Sequence, residues 1–146
     1  MILLPTDFKE LLKSLNSNNV KYLVIGGYAV AHYGYVRSTN DIDLWISRDP
    51  ENALKVVKSL EEFGFPGCEL NIQYFTEPEQ ITRMGYPPLR IEIMTTISGV
   101  VFEDAFSNRV LFNYEGIEIP IINLEDLKKN KKSAARNKDL NDLENI

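Results

Sequence analysis

The sequence predicts an α/β (α+β) fold, a mixed β-sheet with helices mainly on one face. Apolar residues recur at helical spacing in segments 8–15 and 53–60, whereas apolar and polar residues alternate in segments 41–46 and 89–94. Both periodicities occur within 146 residues, of which 44% are hydrophobic. That length and composition predict one domain, residues 1–146, with a substantial core.

The first half of the chain reads as helix, strand, short helix and strand. Thr6 is expected to cap the first helix, which ends near residues 16–19. A buried strand at 22–25 then runs into Gly26-Gly27, and a small helix is expected at 28–33. Segment 41–46 is the second strand, because its side chains alternate between apolar and acidic.

The second half continues the mixture of helices and strands. Asp49-Pro50 opens a helix. The residues expected on its buried side are Ala53, Leu54, Val57 and Leu60. A strand is predicted at 72–75, another at 89–94, a helical turn at 102–106 and a hairpin joining 110–114 to 117–119. Helices return from residue 124.

Two carboxylates on one strand are the first functional signal. Asp41 and Asp43 are two residues apart, so in a strand both point to the same face, opposite to Ile42 and Leu44. Carboxylates about 5 Å apart repel by roughly 3 kcal/mol at an effective dielectric near 20, and a shared proton or cation relieves that cost. Mg²⁺ prefers one or two carboxylates completed by water and phosphates. The alternative is a turn at Asn40-Asp41 that leaves Asp43 on an ordinary solvated face.

Gly26-Gly27 is the second signal. Glycines leave backbone amides open to an anion at the start of a helix, so a phosphate can approach there. A glycine pair followed by two acids at this distance resembles the signature of the DNA polymerase beta-like nucleotidyltransferase superfamily. The resemblance implies the minimal nucleotidyltransferase fold and a third carboxylate on a neighbouring strand. Glu92 is the candidate, because Ile91 and Ile93 are expected to face the core and Glu92 to face outward.

The C-terminal segment resembles small bacterial nucleotidyltransferases related to AbiEii-type toxins. The motif is carried by Leu124-Glu125-Asp126-Leu127, Lys131, Arg136-Asn137-Lys138-Asp139-Leu140 and Asp142-Leu143. By that resemblance, Lys131, Arg136, Lys138 and Asp139 lie near a triphosphate. Lysine and arginine are suited to neutralising phosphate oxygens.

The resemblance implies transfer of a nucleoside monophosphate from an NTP to a hydroxyl. The residues expected to bind the nucleotide are Gly26, Gly27, Arg37, Ser38, Thr39, Lys131, Arg136, Lys138 and Asp139. Asp41, Asp43 and Glu92 are expected to be catalytic and to hold Mg²⁺, as two ions or with Mn²⁺ in its place. The acceptor is expected to be a tRNA 3′ end or a protein hydroxyl, and the protein to be a toxin paired with an antitoxin protein.

Two other functions stay open at this point. One is antibiotic-type transfer to a small molecule, with an acceptor pocket from Tyr33, Tyr35, Tyr74 and Tyr86. The other is a non-catalytic module that binds nucleotide or a partner protein. The net charge of −5 argues against broad duplex DNA binding. No apolar run is long enough for a membrane span, so a cytoplasmic protein is expected.

Overall fold

The computed structural model describes residues 4–37, 39–65, 71–86 and 89–146, including the backbone but not the side chain of Tyr86. In chain order its elements are α1 (Thr6–Ser17), β1 (Tyr22–Ile25), α2 (Gly26–His32), β2 (Asp41–Ile46), α3 (Pro50–Phe63), α4 (Gln73–Thr76), β3 (Ile81–Tyr86), β4 (Leu89–Met94), α5 (Phe102–Ser107), β5 (Val110–Tyr114), β6 (Ile117–Ile121), α6 (Leu124–Ala134) and α7 (Asn137–Asn145).

The six described strands form one mixed sheet in the order β3-β4-β2-β1-β6-β5. The outer pairs, β3 with β4 and β5 with β6, are antiparallel hairpins. In the centre, β2 runs antiparallel to β1 and parallel to β4. The mixed α+β class predicted from the sequence is confirmed, and the two strands that carry the predicted acids are neighbours.

The two faces of the central strands have different roles. Val24 and Leu44 are cross-strand partners on one face. Leu12 of α1 and Tyr28 of α2 lie next to Val24 on this face. The opposite face carries Trp45, whose ring meets that of Phe102 from α5 edge-on at 5.1 Å between centroids. Because side chains alternate along β2, Asp41 and Asp43 lie on this second face as well. The predicted functional acids are therefore on the face opposite to Val24 and Leu44.

The hairpin turn and the start of α3 agree with the sequence predictions. The hairpin turns at Glu115 and Gly116, both with positive φ, as the spacing predicted. Helix α3 begins as predicted, because the Asp49 side chain accepts from the Asn52 N–H at 3.3 Å and Pro50 occupies the first turn.

Two predictions near helix starts are wrong. Pro5, not Thr6, is the cap residue of α1, and no side chain caps that helix. The small helix after β1 begins at Gly26 rather than at residue 28, because the chain turns directly out of the strand.

Two predictions about side-chain placement are also wrong. Segment 72–75 is not a strand: the Asn71 side chain accepts from the Gln73 N–H, and the short helix α4 follows and buries Phe75. Leu54 is 60% exposed, because the buried stripe of α3 runs through Ala53 and Val56 instead.

Among the helices of the described ranges, none combines the length and the apolar character needed to cross a lipid bilayer.

Candidate active site

A cleft of about 620 Å³ opens on the face of the sheet that carries the acids. Its lining comes from distant parts of the chain: the β1–α2 junction, β2, the β3–β4 hairpin, the loop at 96–98 and the helices α6 and α7. The basic side chains in the lining are Arg37, Lys131, Arg136 and Lys138, and the acidic ones are Asp43 and Glu79. The cleft therefore brings carboxylates close to a group of four basic side chains, which we call the cationic wall.

Asp43 and Glu92 lie side by side because β2 and β4 are parallel neighbours in register. Asp43 is the partner of Glu92 across the two strands, and their side chains are within hydrogen-bonding reach. The Oδ1 atom of Asp43 is buried, and no group in the described residues donates a hydrogen bond to it. Two carboxyl groups within hydrogen-bonding reach of each other, one of them largely buried, are stabilised by a proton or a cation between them.

The electrostatics of this pair follow from burial and proximity. Burial and the nearby charge of Glu92, together with their hydrogen bond, raise the pKa of Asp43 to about 7, although Lys138 acts in the opposite direction. Burial also works to raise the pKa of Glu92, but hydrogen bonds from Arg83 and Asp43 outweigh it and hold that pKa below its ordinary value. Without a cation, Asp43 therefore takes up a proton at a much higher pH than an ordinary aspartate does.

Two arginines engage the other carboxylate oxygens. Arg83 donates from Nε to Oε1 of Glu92 at 2.9 Å, and Arg90 donates from Nε to Oδ1 of Asp41 at 3.3 Å. Asp41 is thereby turned to its arginine partner rather than to Asp43. Within the described ranges, no three Asp, Glu, His or Cys side chains converge closely enough to hold a metal ion.

The two glycines fit tightly against the functional strand. A Cβ on Gly26, which has a φ of +67°, would collide with the Asp43 carboxyl group. A Cβ on Gly27 would lie 2.8 Å from Oγ1 of Thr39, which itself donates to the backbone carbonyl of Asp41 at 3.1 Å. The glycines line the cleft, and the need for close packing against Asp43 and Thr39 accounts for both of them.

A buried ionic cluster forms the back of the cationic wall. Lys131 is 3% exposed and its Nζ lies 3.3 Å from Oδ1 of Asp139 and 3.0 Å from Oδ2 of Asp142. Arg37 donates to Asp142 at 2.8 Å, and Arg136 donates to Asp139 at 2.7 Å. The cluster ties α6, α7 and the segment before β2 together.

Hydrogen bonding keeps both aspartates of this cluster ionised. Burial alone would raise the pKa of Asp142, but the bonds from Arg37 and Lys131 outweigh it and hold the pKa below its ordinary value. Burial is likewise outweighed at Asp139, where the Arg136 hydrogen bond and the Lys131 charge lower the pKa. The cluster therefore remains charged wherever the protein is folded at neutral pH.

The structure brings together most of the residues predicted for the nucleotide. Gly26, Gly27, Arg37, Lys131, Arg136 and Lys138 all line one cleft with Asp43. Thr39 packs beside Gly27 at its edge, and Ser38 lies outside the described residues. Asp139 is 1% exposed and holds Lys131 and Arg136 from behind.

The tyrosines predicted to form an acceptor pocket are dispersed. The Tyr33 hydroxyl donates to the Ile122 carbonyl, and the Tyr35 hydroxyl accepts from Asn141. Neither they nor Tyr74 line the cleft, and the side chain of Tyr86 lies outside the described residues.

Sequence reasoning missed four participants. Asp142 was read only as part of a motif, although its spacing of three from Asp139 puts both on one face of α7. Asn130 lines the cleft and donates to the Ser98 carbonyl at 3.0 Å. Arg83 and Arg90 escaped notice as partners of the acids, although Arg90 shares the outward alternation of Glu92.

The mixed sheet thus places Asp43 and Glu92 side by side on neighbouring strands, and Asp43 lines a cleft with four basic side chains. The chain belongs to the family described as "nucleotidyltransferase of unknown function (DUF6036)", whose model matches residues 4–146. It is therefore an enzyme of the nucleotidyltransferase class, and its substrate is an NTP.

A solved structure has the same fold. A crystal structure from Thermotoga maritima, described as that of a candidate nucleotidyltransferase, superimposes with a TM-score of 0.66 at 18% sequence identity. The alignment covers 94% of this chain and 88% of that one. No curated protein matches the chain in sequence.

Proposed function

We propose that the enzyme transfers a nucleoside monophosphate from an NTP to an acceptor hydroxyl, with Mg²⁺ held by Asp43 and Glu92. The observation that carries this proposal is the buried Oδ1 of Asp43, which lacks a donor in the described residues and belongs to a residue that lines a cleft with four basic side chains. A cation beside that oxygen would supply its missing partner, and a triphosphate along the cationic wall would neutralise the basic side chains.

The donor set suits Mg²⁺. This ion is typically bound by one or two carboxylates and completed by water and substrate phosphates. Asp43 and Glu92 supply two adjacent carboxylates, so the absence of a three-acid cluster in the described residues is compatible with this ion. Asp41 would join them as a ligand if Arg90 released it. The bound ion would neutralise charge developing on the phosphate oxygens.

The exposed and the buried cationic side chains would have different roles. Arg136, whose side chain is 63% exposed although it donates to Asp139, and the exposed Lys138 would contact the leaving phosphates directly. Lys131 is buried and would act mainly by its charge and by fixing Asp139 and Asp142. The acceptor oxygen would bond to the α-phosphorus and the bond to pyrophosphate would break, while Glu92 would take the acceptor proton.

For the acceptor we propose a tRNA 3′ end or a protein hydroxyl. We also propose that the enzyme is the toxin of a toxin–antitoxin pair. The support for this role is the resemblance of segment 124–143 to AbiEii-type nucleotidyltransferases.

The test is transfer of label from α-labelled NTP, with total tRNA and the protein itself as acceptors. Asp43→Asn keeps the size of the side chain but removes its charge, so transfer should be lost while the circular dichroism spectrum stays that of the wild type. Asp104→Asn, at an exposed site in α5, is the matched control and should transfer normally. Transfer by Asp43→Asn at the wild-type rate would exclude the proposed site, and label from γ-labelled NTP should never appear on the acceptor.

A further inference from the structure

The face of the sheet that carries the acids also carries two arginines in matching positions. Arg83 of β3 lies opposite Glu92, which lies opposite Asp43, so these three side chains form one row across the sheet. Arg90 lies opposite Asp41 in the next row, with Gly85 on its other side. Each arginine is thus placed beside a carboxylate on the side away from β1.

Both guanidinium groups reach solvent with donors to spare. The side chain of Arg83 is 61% exposed and that of Arg90 is 44% exposed. A guanidinium has five N–H donors. In the described residues Arg83 donates only from Nε to Glu92, and Arg90 donates only from Nε and Nη2 to Asp41. Gly85 adds no side chain beside Arg90, which leaves that group uncovered.

The two arginines lie outside the cleft lining, unlike the four basic side chains that face Asp43. In the proposed reaction the attacking and leaving oxygens lie in line on opposite sides of the α-phosphorus. Since the cationic wall of α6 and α7 would hold the leaving phosphates, the acceptor would approach from the side of β3 and β4. Arg83 and Arg90 stand on that approach.

From this geometry we infer that Arg83 and Arg90 bind the phosphates of a single nucleic-acid strand whose terminal hydroxyl is the acceptor. The inference rests on the proposed function. Diagonal neighbours on a sheet are roughly 7–8 Å apart, a spacing suited to adjacent phosphates of one strand. A neutral acceptor would gain nothing from the arginines.

Binding of the strand would also change the acids. Each arginine would exchange a carboxylate for a phosphate, which frees Asp41 to turn toward Asp43 and leaves Glu92, already beside Asp43, without its arginine partner. The acceptor would in this way complete the site for the cation, and the site stays partly blocked in its absence.

The first measurement is binding of a short 5′-fluorescein-labelled single-stranded RNA, by anisotropy, without metal or NTP. The double variant Arg83→Gln with Arg90→Gln should bind at least about tenfold more weakly at low salt. The slope of log affinity against log salt should fall by about 1.4, because each phosphate contact to a single strand contributes about 0.7. The charge-matched control, Arg48→Gln with Arg109→Gln, should bind as the wild type does.

The second measurement is Mn²⁺ binding by electron paramagnetic resonance, without RNA. The Arg83/Arg90 double variant should bind Mn²⁺ more tightly than the wild type, because its carboxylates are no longer held. Equal RNA affinity in the double variant and the control would overturn the inference, as would label transfer confined to protein hydroxyls. If no acceptor is labelled by any variant while the RNA result holds, the proposed function fails and the strand-binding surface stands.

Discussion

Lys131 and Asp142 form an ion pair of 3.0 Å in which both side chains are almost completely buried, at 3% and 1% exposure. Removing one member of such a pair leaves an uncompensated charge in the interior. The pair lies directly behind the cationic wall, so its effect on stability can be measured separately from substrate contacts.

Asp142→Asn should lower the free energy of unfolding by about 3 kcal/mol, because Arg37 and Lys131 each lose a charged partner, although Lys131 keeps Asp139. Urea denaturation measures this change. Asp104→Asn at an exposed site should change stability little. A loss at residue 142 no larger than that of the control would mean that the buried cluster contributes nothing net.

The same cluster predicts how stability depends on pH. The folded pKa values of Asp139 and Asp142 lie below their ordinary value, so each contributes stability that is fully present above the unfolded pKa of about 3.9. That contribution is lost as the pH falls through the folded pKa. Unfolding free energies measured from about pH 6 downward should therefore decline in acid. The decline should be shallower in Asp142→Asn. Equal slopes of unfolding free energy against pH in the variant and the wild type would contradict the contribution of Asp142.

Gly26→Ala should damage the site more than it damages the fold. The added Cβ would push on the Asp43 carboxyl group, and a displacement of about 1 Å at a catalytic group can cost about 100-fold in rate. Gly116→Ala has a similarly positive φ of +84° but no atom within 4 Å of its Cβ. Both variants should lose about 1 kcal/mol from backbone strain. Only Gly26→Ala should lose label transfer, and equal activity in the two would show that Asp43 tolerates the shift.

Lys138→Gln should weaken nucleotide binding without lowering the stability of the fold. Lys138 is exposed, lines the cleft and has no ion-pair partner among the described residues. Loss of one charged contact to phosphate should raise the KM for NTP about tenfold. Lys132→Gln, an exposed site of α6 outside the cleft lining, should leave KM unchanged. Steady-state kinetics with thermal melts compares the two, and equal KM values would remove Lys138 from the phosphate site.

Alternation and helical spacing were enough to predict the central strands and most helices. The strands β1, β2 and β4 each bury a continuous or alternating apolar set, so their pattern is visible in the sequence. Segment 72–75 was misread because three or four apolar residues fit a strand or a helical turn equally well. The signal available was Asn71, whose side chain accepts a hydrogen bond from the Gln73 N–H at the start of that turn.

The site was less accessible to sequence reasoning than the fold. Alternation predicts that Asp43 and Glu92 each face outward, but it cannot predict that β2 and β4 are neighbours, and the family resemblance supplied that step. Charged residues are read as exposed by default, which hid the burial of Lys131. The spacing of Asp142 from Asp139 places both on one face of α7, but only the packing of α7 against α6 shows that Lys131 is their partner.

The cleft joins stretches of chain that a ribosome makes at different times. Residues 26–43 and 83–92 emerge first and bring all three acids, with arginines already beside two of them. Asp43 has to wait for residues 131–138 before a lysine reaches it. During synthesis, three of the four basic side chains of the cleft are therefore made last, so the nucleotide site is complete only after α6 and α7 have left the ribosome.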